Sequence, residues 1–315
     1  METTDILLQQ DNDTSPSPDL DLAEVRGALD ELFTLAGQYR SGDEYLALMQ
    51  FVANFRRYSA YNAMLVYAQM PGARYVLPAK QWYRDYGRTP IPNAQPLVLL
   101  RPGGPIMFGF DVSQTKGREL PRGFDNPFYC GDIFDEEQFA RLLRNVRFDS
   151  VSVEMRSMGS TLGGYVRNAN SPYHSIGLGI TPAVGQVVSV DGEDIPVFAS
   201  ITLNSNLPDS TNFATLSHEL GHLYCGHVGA PNPQWWPSRT TLDNNTREFE
   251  AESVSYLVCQ RAGIETPAVE YLSGYLHEND EIPQISLESV FKAAQRIESL
   301  LTKKPKPRSK PTENR

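Results

Sequence analysis

The sequence predicts an α+β protein whose chemistry sits on two neighbouring helices in its second half. Three observations carry this. Short β-rich runs cluster near 151–156, 162–167, 175–180, 186–190 and 196–203. Segments with helical apolar spacing stand before and after them, without the regular strand–helix alternation of a parallel α/β sheet. The segment that follows carries His218-Glu219-Leu220-Gly221-His222, a metal-ligand pattern that needs a helix to work.

Along the chain, Leu22–Gln38 reads as a helix, and a second helical run covers Asp43–Gln69 until Pro71-Gly72 stops it. Leu97–Leu100 and Ile106–Val112 read as strands on either side of Pro102-Gly103-Gly104-Pro105. The loop 117–130 is the expected boundary, and Asp135–Arg147 opens the second half as a helix. After the β-rich runs, Ser210 or Asp209 can cap a helix ending near Gly226. Asn245 can cap another ending at Gly263, with Pro267 beyond. The last helix, 286–301, aligns Leu287, Val290, Phe291, Ala294, Ile297 and Leu301 on one stripe.

Composition sets the class. The chain has 315 residues, 40% of them hydrophobic, which excludes collagen-like, coiled-coil and wholly disordered proteins. Asn168–Val190, the longest stretch free of Asp, Glu, Lys and Arg, is broken by Pro172 and Pro182, so no membrane contact is expected. The acidic start has no apolar core after basic residues, and Cys130, Cys225 and Cys259 are too few for a disulfide framework. A cytoplasmic protein is expected. The net charge of −10 is uneven: residues 1–25 hold seven acids and no Lys or Arg, whereas 302–315 hold six basic residues and one acid. The expected organisation is a disordered acidic head (1–20), an N-terminal binding domain (21–125), a metal-binding domain (126–301) and a disordered basic tail (302–315).

Residues four apart share a helix face, so His218 and His222 can meet one zinc ion (Zn2+), with Glu219 placed to take a proton from water bound there. Catalytic zinc takes a third protein ligand. His227 suits HExxHxxGxxH poorly, because the last position of that pattern is Val228 and Leu223-Tyr224-Cys225 contains no Gly. The next helix, Arg247-Glu248-Phe249-Glu250-Ala251-Glu252-Ser253, offers better candidates. Glu248 and Glu252 share a face and Glu250 points elsewhere. Glu248 is assigned as ligand and Glu252 as the residue that orients a ligand histidine, with Glu250 the remaining option. Donors to a reaction oxyanion could be His227, Tyr256, Tyr271 or Tyr275. Gly159–Gly164 lacks phosphate-loop spacing and reads as a turn, Cys225 and Cys259 as buried thiols, and His174 as structural or surface.

The stretches ATLSHELGHLYCGH and REFEAESVSYLVCQRAG resemble the ImmA/IrrE family of zinc metallo-endopeptidases, which are gluzincins. The resemblance covers about residues 150–275. It implies a metallopeptidase domain with a small sheet and an HExxH helix, zinc on His218, His222 and Glu248, and Glu219 as general base. It also implies a protein substrate, by analogy a transcriptional repressor. Glu252 stands where that family commonly has Asn, which leaves Glu248 and Glu252 both open as ligand.

Residues 55–88 combine Arg56, Arg57, Arg74, Lys80, Arg84 and Arg88 with Phe55, Tyr58, Tyr61, Tyr67, Tyr75, Trp82, Tyr83 and Tyr86, against one acid, Asp85. Arginine and lysine beside stacking rings are the ingredients of a single-stranded nucleic-acid surface, here Arg56, Arg57, Tyr58, Tyr61, Lys80, Trp82 and Arg84. The same rings could instead be core. Arg57–Ala63, Gln81-Trp82 and Phe110–Gln114 resemble the N-terminal domain of ArdC-type antirestriction proteins, which implies single-stranded DNA binding. Two readings follow: a zinc endopeptidase localised or gated by its N-terminal domain, or a nucleic-acid-binding, antirestriction-type protein with a structural or vestigial zinc site.

Overall fold

The computed structural model describes residues 42–101, 106–120, 134–159, 162–169, 186–264, 282–302 and 304–305, together with 266, 268, 272, 274 and 275. The acidic head, the Leu22–Gln38 helix, the run at 175–180, Cys130, His174, Tyr271 and all but three residues of the basic tail lie outside them. The fold is α+β, with seven helices and several small sheets among the described residues. None of those helices is long and apolar enough to cross a membrane.

The described residues begin with α1 (Gly42–Asn54) and α2 (Ala60–Gln69). The single helix expected over 43–69 is therefore two. Ser59 ends the turn between them, accepting from the Asn62 N–H at 3.3 Å as the cap of α2. Apolar spacing runs through the break because both helices bury into one core. β1 (Val76–Leu77), α3 (Ala79–Tyr86), β2 (Arg88–Pro90), β3 (Leu97–Leu99), β4 (Met107–Asp111) and β5 (Thr115–Gly117) follow. They make an antiparallel sheet in the order β1-β4-β3 and a separate β2–β5 pair.

α4 (Glu136–Asn145) is capped by Asp135, whose carboxylate accepts from the Glu137 and Gln138 N–H groups. β6 (Val151–Arg156), β7 (Gly164–Asn168), a β8 (Val187–Val190)–β9 (Glu193–Pro196) hairpin and β10 (Ala199–Asn204) come next. β10 lies in the middle, parallel to β6 and antiparallel to β7, and all six of its residues are buried. Then come α5 (Asp209–Tyr224), α6 (Asn244–Ala262) and α7 (Leu287–Thr302). Their starts differ from expectation. α5 begins after Pro208, whose carbonyl accepts from Asn212 N, so Asp209 is its first residue and not its cap. α6 is capped by Asp243, which takes the N–H and the hydroxyl of Thr246 at 2.9 and 2.7 Å, ahead of Asn245. Gly263, left-handed at φ 79°, ends α6 as expected.

One hydrophobic core draws on α1, α2, β3, α4, β6, β10, α5, α6 and α7. The expected boundary near 125 falls outside the described residues, and this core takes side chains from both sides of it. Its centre is the α5–α6 crossing. A Cβ placed on Gly221 would lie 3.1 Å from the Ala251 Cα and carbonyl oxygen and 3.2 Å from the Val254 Cβ, so the helices meet at a contact only glycine fills without displacement. Gly221→Val adds two methyls beyond that Cβ. It is expected to cost about 1–3 kcal/mol in chemical denaturation by forcing the helices apart. Wild-type stability for the variant would show that the crossing can relax.

Candidate metal centre

α5 presents His218 and His222 on one face, and α6 brings Glu248 across to them. The His218 and His222 Nε2 atoms are 3.1 Å apart, and Glu248 Oε2 is 3.6 Å from each. A tetrahedral ion with bonds of about 2.1 Å holds its donors about 3.4 Å apart. The three donors therefore have the chemistry and spacing to hold one metal ion. The opposite nitrogens are turned away from it. His218 Nδ1 lies 3.3 Å from Glu252 Oε1, and His222 Nδ1 lies 2.9 Å from His227 Nδ1. Of the expected residues, the structure thus brings His218, His222, Glu248 and Glu252 together and turns Glu250 elsewhere. His227 contacts the back of His222, with its other ring nitrogen 2.8 Å from Glu250.

Glu219 is buried beside the cluster, where the backbone N–H of Val166 on β7 bonds its carboxylate. Burial raises its pKa to about 7, against the lowering influence of His218 and of that N–H. Burial alone would lower His218, yet Glu248 and Glu252 beside its two nitrogens carry it up to about 10. The two histidines hold Glu248 far below the usual carboxylate range despite partial burial. Burial, chiefly, lowers His222. A site that keeps a proton on His218 to this degree has a field that favours a cation, and a metal ion would bind in competition with that proton.

Of the other expected residues, Tyr256 is buried on α6, and Tyr275 bonds Asn245 at 2.9 Å. Cys225 and Cys259 are buried thiols. On the N-terminal half, Tyr61 and Trp82 are core residues, and the Trp82 ring N–H donates to the Phe110 carbonyl at 2.8 Å. Arg56 donates to the Gln260 carbonyl, Tyr58 to the Val76 carbonyl, and Arg57 bonds the Tyr75 hydroxyl over its ring. Lys80 and Arg84 are exposed, with Arg84 paired to Asp85. The structure therefore does not gather these seven residues on one face. Sequence reasoning missed Arg239, which grips Glu250 with both Nη atoms at 2.6 and 2.7 Å. No spacing rule could have found it, because it arrives on an irregular loop.

No protein-family profile matches the chain, and no solved structure matches it. It is similar to an uncharacterized protein of Bacillus anthracis, 22% identical over 307 residues, which takes in 83% of this chain and 48% of that protein. The chain thus spans about half the length of this relative.

Glu219 gives the centre a pH signature. In metal-free protein the fold holds its proton up to about 7, against an ordinary 4.5. Protonation therefore stabilises the fold. The stabilisation is complete below 4.5 and is lost as pH rises through 7. Glu219→Gln cannot ionise, so in chelator it is expected to match wild type near pH 4 and exceed it by about 1–3 kcal/mol at pH 8. Denaturant titration at both pH values checks this, and a gap that ignores pH would exclude carboxylate burial as its cause.

Proposed function

We propose that this chain is a zinc-dependent endopeptidase that hydrolyses a peptide bond in a protein substrate. The observation that carries the reading is a buried carboxylate, Glu219, beside two imidazoles and a carboxylate at tetrahedral spacing. A zinc ion held by His218, His222 and Glu248 would supply Lewis acidity and lower the pKa of a water to near 7. Glu219 would accept a proton from the attacking water and return it to the leaving amine. A buried carboxylate beside the metal donors is placed for both transfers. The Val166 N–H bonds its carboxylate.

The sheet supports a peptide substrate. β7 is an edge strand, pairing only with β10 among the described residues, and Glu219 leans on its open side. An extended peptide can add to such an edge through main-chain hydrogen bonds and lie along the catalytic base. A transcriptional repressor as the substrate extends this by family resemblance alone.

The nucleic-acid reading has less behind it. A structural zinc site has no use for a buried base, and the Tyr61 and Trp82 rings needed for stacking are in the core.

Metal analysis and a proteolysis assay on the same preparations test the proposal. Wild type is expected to hold one zinc per chain. His218→Ala and Glu248→Ala should lose it, and Glu219→Gln should keep it while cleaving protein substrate about 10²–10⁴-fold more slowly. Zinc-loaded Glu219→Gln cleaving at the wild-type rate would overturn the reading.

A further inference from the structure

A second buried cluster adjoins the first. Cys225, His227 and Glu250 offer potential ligand atoms close together, but hydrogen bonding points to a different use. The chain leaves α5 through Gly226, at φ 82°, where a Cβ would fall 2.0 Å from the Pro237 carbonyl oxygen. Only glycine permits that approach. The loop is thereby drawn back on itself. His227 N donates to the His222 carbonyl and Arg239 N to the Gly226 carbonyl, both at 2.9 Å. Glu250 reaches the same place from α6. Its Oε1 accepts from Arg239 Nη2 at 2.7 Å and from the Ser286 N–H at 2.6 Å, and its Oε2 accepts from Arg239 Nη1 at 2.6 Å. Oε2 also faces His227 Nε2 at 2.8 Å. With an arginine fork on both oxygens, this carboxylate is a fixed hydrogen-bond acceptor and a poor metal ligand.

The direction of every hydrogen bond then follows from one requirement. For His222 to bind a metal through Nε2, that nitrogen must carry its lone pair, and the proton must be on Nδ1. The Nδ1–H donates to His227 Nδ1, which must therefore be the acceptor nitrogen. His227 then carries its proton on Nε2 and donates it to Glu250.

We propose that His227, Glu250 and Arg239 form a positioning relay that holds His222 in its metal-binding tautomer and ring orientation. The proposal rests on the metal-centre reading above. His218 is oriented directly, by Glu252 on the solvent side, whereas His222 is oriented through a neutral imidazole from inside the protein.

The test measures zinc affinity at fixed pH by competition with a chromophoric chelator. His227→Phe is expected to bind zinc about 10–100-fold more weakly than wild type. His227→Gln, whose side-chain carbonyl can still accept from Nδ1–H, should recover part of that loss. Equal affinity for all three proteins would overturn the relay. Long-range ¹H–¹⁵N spectra of zinc-loaded wild type need no substitution, so they decide the matter even if the Phe variant does not fold. They should show His222 protonated on Nδ1 and His227 on Nε2, and the opposite His227 tautomer would overturn the relay. A second zinc equivalent, lost in Cys225→Ser, would make the inner cluster a ligand set and also overturn it. Wild type taking up no zinc would overturn the metal-centre reading itself, a result distinct from zinc-binding wild type with unaffected variants.

Discussion

The contact on which the site depends is the crossing of α5 and α6 at Gly221 and Ala251. Packed helices ordinarily keep their axes about 8–10 Å apart, and a metal's donors must come within about 3.4 Å of one another. Imidazole and glutamate arms close that distance only when the backbones approach closely. Glycine at 221 and alanine at 251 allow the approach. It sits one residue before His222 and three after Glu248, so the contact and the donors share the same turns. The rest of the fold presses on this pair. β10 and β7 lie against α5, while α1 and α7 lie against α6.

Electrostatics separates structural carboxylates from those of the site. Glu250 is buried in an arginine fork with a backbone N–H added. Asp149 is likewise fully buried, held by Arg296 through two bonds and by the Tyr224 hydroxyl. Both have their charge compensated by arginine, as buried ions must. Glu248 and Glu252 pair, among the described ion pairs, only with histidines. Their compensation comes from a proton on His218, or from a cation in its place. The fully buried carboxylates are thus finished by arginine, and the partly exposed pair is left needing positive charge. A metal centre requires that difference.

Much of this was legible in the sequence, for a physical reason. Helical periodicity is local, so the face shared by His218 and His222, and the one shared by Glu248 and Glu252, follows from spacing alone. The odd position of Glu250 likewise turns it off that face. What spacing cannot supply is the partner of the turned-away residue. Arg239 reaches Glu250 because of a left-handed Gly226, and Ser286 reaches it from the start of α7. These are long-range consequences of backbone geometry. Caps were misplaced for a related reason: several polar residues precede α5 and α6, and any of Asp243, Asn244 and Asn245 could have capped α6. Asp243 does so because its carboxylate takes both the N–H and the hydroxyl of Thr246.

The basic, aromatic stretch 55–88 has a structural use in part. Part of its positive charge serves helix ends. Arg56, just past α1, donates to the Gln260 carbonyl in the last turn of α6. In return Arg261 of α6 donates to the carbonyls of Val52, Phe55 and Tyr58 at the end of α1 and beyond, while pairing with Glu298 of α7. Each helix ends in a cluster of carbonyls at the negative pole of its dipole. Each receives the other's guanidinium there. Further along, the Tyr45 hydroxyl meets Ser253 Oγ at 2.5 Å, and its ring lies 5.3 Å from that of Phe249. α1 is therefore bound to the Glu248-bearing helix at its C-terminal end by exchanged arginines and along its length by buried rings. Of the basic residues in 55–88, Arg56 belongs to this seam, whereas Lys80 and Arg84 stay exposed.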